Sequence, residues 1–222
     1  MEDSSILGPL LIVGASHQGE VVLDLLRSMP RPVEVLGFLD SGPEGRFVGR
    51  TVGGVPVLDT LDGIARYQAR ARGAIPAVGS GSEREGIAAA LERARIPLVA
   101  VVHPAGHVSP RASIGPGSVI HAGAILGVGV QVGRAAIINS GAILEHHTRI
   151  GDYAHVAPGA RLAGGVRVGE RAWVGLGATV LEDRNIGPDA VVGAGAVVTR
   201  DGEAARTVIG MPARATVVGE TL

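Results

Sequence analysis

The chain has 222 residues, a formal net charge of −1 and no cysteine. This length suffices for one large domain or two small ones, and the near-zero charge gives no sign of a nucleic-acid-binding surface. The absence of cysteine excludes disulfides and thiol chemistry, and the absence of lysine excludes a Schiff-base lysine. Hydrophobic residues make up 46% of the chain but aromatic residues only 2%, with 35 glycines, which fits a fold with a narrow interior.

No stretch is long and apolar enough to predict a membrane span. The first five residues are acidic rather than basic and do not resemble a signal peptide. We therefore expect a soluble cytoplasmic protein with no membrane partner.

The N-terminal hundred residues alternate short apolar runs with helical patterns. A strand is predicted at Leu10–Val13, followed by the turn GASHQG at 14–19 and a helix over 20–28, with Val21, Val22, Leu25 and Leu26 on one face. A second strand over 33–39 closes with Asp40. This order is the first half of a nucleotide-binding βαβ unit, in which a helix N-terminus favours an anionic group. A tight strand–helix turn that binds no ligand fits the same motif.

The rest of this region continues the α/β pattern. We predict a loop and short strand over 51–59, a helix over 61–72, a strand over 75–78 ending at Gly79, a helix over 83–95 and a strand over 98–102. The predicted α/β domain covers residues 1–100. It is too short for a full dinucleotide domain, so a half-site for one nucleotide is the simpler interpretation.

The remainder of the chain, residues 101–222, is dominated by a repeat of six. Every sixth residue from Val102 to Val198 is aliphatic, which makes seventeen positions without an exception: Val102, Val108, Ile114, Ile120, Leu126, Val132, Ile138, Leu144, Ile150, Val156, Leu162, Val168, Val174, Val180, Ile186, Val192 and Val198. A small residue stands two places before most of them, the exceptions being Val130, Val166 and Arg184. Glycine often follows directly, where we expect it to supply backbone angles that other residues reach only with strain.

A sustained period of six fits neither a helix nor a single strand. It predicts a β-solenoid, in which short strands joined by tight turns wind into a prism with the aliphatic and small residues inside.

The densest group of reactive side chains is LEHHTRIGDYAH at 144–155. Histidine and carboxylate are common metal ligands. His146 and His147 are adjacent on what we predict to be a strand, so they should point to opposite faces and only one could join His155 at a metal. We therefore favour catalysis and expect no bound metal.

Three passages resemble the bacterial hexapeptide-repeat sugar acetyltransferases, the family of sialic acid O-acetyltransferases and UDP-4-amino-sugar N-acetyltransferases. They are GAS at 14–16 with Asp40, INS at 138–140 with EH at 145–146 and IGDYAHVAPGA at 150–160, and IGMPAR at 209–214. Together they span nearly the whole chain. The resemblance implies an α/β half-Rossmann-like domain followed by a left-handed parallel β-helix of 18-residue coils, assembled as a homotrimer with active sites between neighbouring prisms.

The resemblance also implies roles for single residues. His146 corresponds to the general base that deprotonates the sugar amine or hydroxyl as it attacks acetyl-CoA. His155, Gly164, Leu176 and Ala194 correspond to positions that contact acetyl-CoA, whereas Ser16, His17, Gln18, Asp40 and Gly79 correspond to the nucleotide-sugar pocket. An 18-residue coil stacks Gly164 on His146 and Trp173 on His155. The missing side chain at Gly164 would leave backbone amides open to a slender ligand, unless Gly164 and Gly165 merely form a corner.

Two positions depart from the family pattern. Well-known members have Glu or Asp directly after the base histidine, whereas this chain has His147, which cannot stabilise an imidazolium as a carboxylate would. Either Glu145 or a neighbouring carboxylate substitutes, or the base is weaker, or the acceptor is easier to deprotonate. Glu145 and His147 are the candidates for tuning the base. The N-terminal turn has His17 and Gln18 where the common form is GASGHG, which changes the nucleotide contacts.

The leading hypothesis is an acetyl-CoA-dependent N-acetyltransferase acting on a nucleotide-linked amino sugar in polysaccharide or glycoprotein-sugar biosynthesis. One alternative is an O-acetyltransferase of sialic acid or another sugar. A second is a non-enzymatic scaffold, or a metal-dependent prism of the γ-carbonic anhydrase type using His146, His155 and either His121 or His107.

Overall fold

The structure is a computed structural model that describes residues 8–42 and 44–215. The acidic N-terminus and the last seven residues of the C-terminal tail lie outside the described residues. The chain divides into two compact units, Met1–Pro104 and Ala105–Leu222. No helix among the described residues is both long and apolar enough to cross a membrane.

The first unit is an α/β layer structure built on a five-stranded sheet. Its elements are β1 (Leu10–Val13), α1 (His17–Arg27), β2 (Val35–Asp40), β3 (Thr51–Val52), β4 (Val55–Thr60), a 3₁₀-helix (Leu61–Tyr67), β5 (Gly73–Pro76), α2 (Gly81–Arg93) and β6 (Val101–Val102). The sheet order is β3-β4-β2-β1-β5. All pairs are parallel except β3 with β4, so the turns after β1, β2 and β5 meet at one edge.

Helix α1 packs on this sheet through glycine contacts. A side chain at Gly19 would overlap the carbonyl oxygen of Gly14, and one at Gly14 would lie 2.5 Å from the carbonyl oxygen of Ala77. The buried face of α1 contains Leu23, whereas Val21, which we predicted to be on that face, is 46% exposed. The helix begins at His17, three residues earlier than expected, so Gly19 lies in its first turn.

Two predicted elements of this unit are wrong in extent. The helix expected over 61–72 is only a 3₁₀-helix ending at Tyr67, because the Arg72 N–H already bonds to the Pro9 carbonyl as the chain enters β5. The strand expected over 98–102 is reduced to Val101–Val102 and an isolated bridge between Leu98 and Ala74. Pro97 has no N–H to extend that pairing.

The second unit is a parallel β-helix of two-residue strands. They are β7 (His107–Val108), β8 (Ser113–Ile114), β9 (Val119–Ile120), β10 (Ile125–Leu126), β11 (Gln131–Val132), β12 (Ile137–Ile138), β13 (Ile143–Leu144), β14 (Arg149–Ile150), β15 (His155–Val156), β16 (Arg161–Leu162), β17 (Arg167–Val168), β18 (Trp173–Val174), β19 (Thr179–Val180), β20 (Asn185–Ile186), β21 (Val191–Val192) and β22 (Val197–Val198). The chain then forms β23 (Thr207–Ile209) and β24 (Arg214–Ala215).

Three sheets make the faces of the prism. The first is β7-β10-β13-β16-β19-β22, the second is β8-β11-β14-β17-β20, and the third contains β9-β12-β15-β18-β21-β23-β24. From β7 to β19, each strand pairs with the one eighteen residues later, as Leu126 does with Leu144 and Leu144 with Leu162. Every predicted inward aliphatic position from Ile120 to Val198 is buried, whereas Val108 and Ile114 at the open end are half-buried.

The glycines that directly follow the aliphatic positions do not have the positive φ angles that would explain them as we predicted. A side chain at Gly115 would lie 2.5 Å from the carbonyl of Gly133, one coil further on, so these glycines allow adjacent coils to approach closely. The positive φ angles fall two residues later in the corner turns, as at Gly129 and Gly141. Glycine therefore serves at two separate places in the corners, for two physical reasons, although the positive-φ place also holds other residues, as at Ala135 and His147.

Replacing Leu162 with alanine tests how much the inner column of the prism contributes to stability. Leu162 is 1% exposed, and truncating a buried leucine leaves a cavity that costs about 2–5 kcal/mol of unfolding free energy. Thermal or denaturant unfolding should show this loss. Arg161→Ala is the matched control, because its exposed side chain points outward from the same strand; equal losses in both variants would contradict the assignment of the core.

Candidate active site

His146 and His147 form a corner turn of the prism and not part of a strand. They connect β13 to β14, and His147 has a φ of 59°. Both rings lie at the same edge, with Nδ1 of His146 3.2 Å from Nδ1 of His147 and the ring planes at 75°. The prediction that they point to opposite faces is wrong, because the alternation of a strand does not extend through a turn. Among the described residues, no group of three metal-ligating side chains could hold a metal ion.

The imidazole of His146 rests on Gly164, one coil further on. A side chain at Gly164 would overlap Cε1 of the ring and lie 2.5 Å from Nε2. The positive φ of this corner belongs to Gly165, at 72°. A side chain does not fit at Gly164, because the His146 ring occupies the space that we expected to stay open for a ligand. The Gly164 N–H has no acceptor among the described residues.

The two residues predicted to tune the base differ in their contacts. His147 shares the Nδ1–Nδ1 hydrogen bond with His146. In a neutral pair, one Nδ1 carries the proton and donates while the other accepts. The Glu145 carboxylate is exposed and makes no hydrogen bond or ion pair with any described residue.

His155 is held in the third sheet by two neighbours. Its Nε2 lies 3.1 Å from Nδ2 of Asn139, whose Oδ1 accepts the Ser140 N–H at 2.9 Å. The Asn139 amide therefore donates, and His155 Nε2 accepts. The ring packs on Trp173, with centroids 4.1 Å apart, as the 18-residue stacking predicts. Only 5% of His155 is exposed in the single chain, against 37% of Trp173.

Apart from His155 on the third sheet, the predicted base and acetyl-CoA contacts occupy two different edges of the prism. His146 and Gly164 lie in the corner turns between the first and second sheets, which we call the base edge. Leu176, which is 58% exposed, and Ala194 lie in the corner turns between the third and first sheets, which we call the Leu176 edge. The first sheet separates the two edges, so one prism does not bring these residues together.

The predicted nucleotide pocket of the first unit is a pair of cavities that meet at Ala15, Ser16 and Phe47. One, of about 300 Å³, is lined by Asp40, Ser41, Gly42, Glu44, Gly45 and Arg46. The other, of about 340 Å³, is lined by His17, Glu20, Arg50, Thr51, Val52 and Gly53. Both adjoin the start of α1, since Ser16 is its N-cap. Gln18 and Gly79, the other predicted pocket residues, line neither cavity.

Asp40 shapes the loop that walls this pocket. Its Oδ1 accepts the Gly42 N–H at 3.0 Å and its Oδ2 accepts the Phe47 N–H at 2.9 Å, and the residue is 5% exposed. Asp40 lines the first cavity as predicted, but both carboxylate oxygens already hold the loop from Gly42 to Phe47.

Two residues of the first unit were not found from the sequence. Phe47 lies in a segment without hydrophobic periodicity, so the sequence pattern gave no indication that this aromatic side chain lines a cavity. Arg84 is fully buried at the start of α2 and donates from its guanidinium to the carbonyls of Val78 and Gly79. Burial lowers its pKa to about 10, which leaves it charged at neutral pH and able to fix the loop after β5.

Comparison with known proteins connects these features. Residues 9–91 match the family model of the PglD N-terminal domain. The whole chain is similar to a perosamine N-acetyltransferase from Caulobacter crescentus, solved with CoA and GDP-perosamine as a mutant with one histidine replaced by asparagine; the identity is 34%, over 97% of this chain and 100% of that chain, with a TM-score of 0.87. The chain belongs to this family of sugar acetyltransferases.

Two further relatives agree with the family assignment. The acetyltransferase domain of PglB from Neisseria gonorrhoeae, solved with acetyl coenzyme A, is 30% identical over 93% of this chain and 98% of that chain, with a TM-score of 0.84. WeeI from Acinetobacter baumannii is 29% identical over 96% of this chain and 100% of that chain, with a TM-score of 0.83. A search of curated protein sequences gave no match. The sugar acetyltransferase family, the half-Rossmann-like first unit and the left-handed parallel β-helix predicted from sequence are all confirmed.

Proposed function

We propose that this acetyltransferase transfers the acetyl group of acetyl-CoA to the amine of a nucleotide-linked amino sugar, with His146 as general base. The main support for the proposal is the position of the His146 imidazole, which lies against Gly164 and whose Nδ1 is hydrogen-bonded to His147. The relative from Caulobacter supports it, because that protein was solved with CoA and GDP-perosamine and with one histidine replaced by asparagine and by alanine.

The proposed reaction uses the two nitrogens of His146 differently. His146 Nδ1–H donates to His147 Nδ1, which leaves the Nε2 lone pair available. The sugar amine attacks the thioester carbon, and Nε2 takes the proton that the nitrogen loses. The Gly164 N–H, beside the ring and without an acceptor, can donate to the oxygen that becomes negative. Collapse of the tetrahedral intermediate breaks the carbon–sulfur bond, and the CoA thiolate recovers the proton from His146.

His147 replaces the carboxylate that the family has beside its base. As the acceptor of the His146 Nδ1–H, it fixes the tautomer that presents a basic Nε2. A neutral imidazole supplies this orientation without the charge attraction of a carboxylate. In this proposal Glu145 has no part in tuning the base, because its carboxylate bonds to neither histidine.

The two separate edges lead to the proposal that the active form is a homotrimer. The base edge carries His146 and Gly164, whereas Leu176 and Ala194 lie on the Leu176 edge, beside the third sheet that holds His155 and Trp173. Packing the base edge of one prism against the Leu176 edge of the next would complete a site with acetyl-CoA between them. Light scattering on the purified protein should give three times the chain mass.

The first unit is proposed to bind the nucleotide part of the sugar substrate. The N-terminus of α1, with Ser16 and His17 beside it, suits the diphosphate, and Arg50 lines the same cavity. The Caulobacter protein was solved with a GDP-linked sugar, so GDP is the nucleotide proposed first. Acetyl-CoA and nucleotide sugars are cytoplasmic metabolites, and we propose the cytoplasm as the site of action.

The decisive test is thiol release from acetyl-CoA across a panel of acceptors. We expect release with a GDP- or UDP-linked 4-amino sugar and none with free or CMP-linked sialic acid, with the N-acetyl product confirmed by mass spectrometry. Release with a sialic acid instead would favour O-acetylation. A protein that binds acetyl-CoA but acetylates none of these acceptors would contradict the substrate assignment.

Changing His147 to alanine should lower kcat about 2- to 12-fold, because it removes one hydrogen bond worth about 0.5–1.5 kcal/mol that orients His146. His147→Asp should retain or exceed wild-type activity, since aspartate tolerates positive φ and accepts the same hydrogen bond with a full charge. Steady-state kinetics at saturating acetyl-CoA measures both. Equal activity in His147→Ala and wild type would show that His147 does not orient the base.

A further inference from the structure

We propose that Phe47 is the platform on which the base of the nucleotide stacks. This inference rests on the proposed function, and it assigns to one side chain the recognition of the base. Phe47 is one of two phenylalanines in the chain. The other, Phe38, is fully buried against the sheet, whereas Phe47 is 36% exposed and lines both cavities of the first unit.

The backbone of Phe47 is held in place by the pocket itself. Its N–H donates to Oδ2 of Asp40 at 2.9 Å, and its carbonyl accepts the Arg50 N–H at 3.0 Å. Asp40 also holds the Gly42 N–H, so the loop is tied to the end of β2 at two points. An aromatic ring with a fixed backbone at the rim of a cleft loses little conformational entropy when a flat ligand covers it.

The charges of the two cavities indicate which part of the nucleotide each accepts. The cavity beside Asp40 contains two carboxylates, Asp40 and Glu44, and one guanidinium, Arg46, which makes it unfavourable for a diphosphate. The cavity beside His17 has Arg50, whose side chain makes no hydrogen bond or ion pair with the described residues, and Glu20 as its carboxylate. The diphosphate therefore belongs at the start of α1 on the Arg50 side, and the base belongs in the Asp40 cavity.

Phe47 forms the wall between these two positions. A base in the Asp40 cavity has its flat face available to the phenyl ring, while its N–H groups can meet the exposed carboxylate of Glu44, whose one ion pair among the described residues is with Arg46. Stacking on an aromatic side chain tolerates any base, so Phe47 supplies affinity for the base, and the choice between guanine and uracil falls to the polar groups around it.

The test compares binding of GDP, UDP, CMP and inorganic pyrophosphate to the full-length wild-type protein and to Phe47→Ala by titration calorimetry. Base stacking is worth about 1–3 kcal/mol, so Phe47→Ala should weaken the tightest nucleotide about 5- to 150-fold and leave pyrophosphate within about 2-fold. Phe47→Trp should restore nucleotide binding. Val48→Ala is the matched control, because Val48 is 41% exposed in the same loop and lines neither cavity.

Each contrary outcome identifies what has failed. Unchanged nucleotide affinity in Phe47→Ala would overturn the stacking role and leave the proposed function standing. Equal weakening of nucleotide and pyrophosphate would show that Phe47 only supports the loop. If the wild-type protein bound none of the nucleotides, the result would contradict both the stacking role of Phe47 and the proposed nucleotide-sugar substrate.

Discussion

Replacing His146 with alanine is expected to lower kcat about 10²- to 10⁴-fold, the range that a positioned general base contributes. In the proposed reaction, the Nε2 of this imidazole receives the proton of the attacking amine. His147 is bonded to it through Nδ1, and the Glu145 carboxylate makes no hydrogen bond to either ring. The affinity for acetyl-CoA should change little, because the base acts on the acceptor.

The experiment separates catalysis from folding. Single-turnover acetyl transfer and calorimetric binding of CoA are measured on His146→Ala and on His107→Ala. The exposed side chain of His107 lies on β7, the strand at the end of the first sheet. The His107 variant should retain wild-type kinetics. A His146→Ala enzyme that keeps most of its activity with the same acceptor would eliminate His146 as the base.

Replacing Gly164 with alanine is expected to lower kcat about 10²-fold without touching any ionisable group. The added methyl group would occupy the space of Cε1 and lie 2.5 Å from Nε2 of His146, so the ring must swing away from the reacting amine. A displacement of about 1 Å at a catalytic group can cost that much. Because Gly164 has no positive φ requirement, the backbone itself accepts alanine.

Gly202→Ala is the matched control for this variant. A side chain at Gly202 meets Cδ1 of Ile186 at 3.6 Å, an ordinary contact, in the last coil of the prism. Both variants should unfold at nearly the wild-type temperature, and only Gly164→Ala should lose activity. Full activity in Gly164→Ala would show that catalysis does not require the His146 imidazole to lie against Gly164.

The sequence alone determined that the second unit is a prism of short strands. The six-residue repeat is a local property, because each aliphatic residue must face a narrow interior wherever its coil lies. The coil of eighteen residues, which pairs Leu126, Leu144 and Leu162, was expected from the family resemblance and not from the repeat. The strand–turn–helix start and its closing Asp40 were equally local. The resemblance, and not the period, singled out His146 from seven histidines.

Only the tertiary structure decided how these residues are used. His146 and His147 share one edge because a corner turn with positive φ interrupts the alternation of strands. Gly164 is needed because the His146 ring of the preceding coil fills the space beside it. The Asp40 carboxylate accepts hydrogen bonds from the backbone of Gly42 and Phe47 in the loop that follows it. Leu176 and His146 lie on separate edges. Each of these facts is a contact between residues distant in sequence or a turn geometry, and a repeat of inward-facing residues carries no information about the outward-facing side chains that form the site.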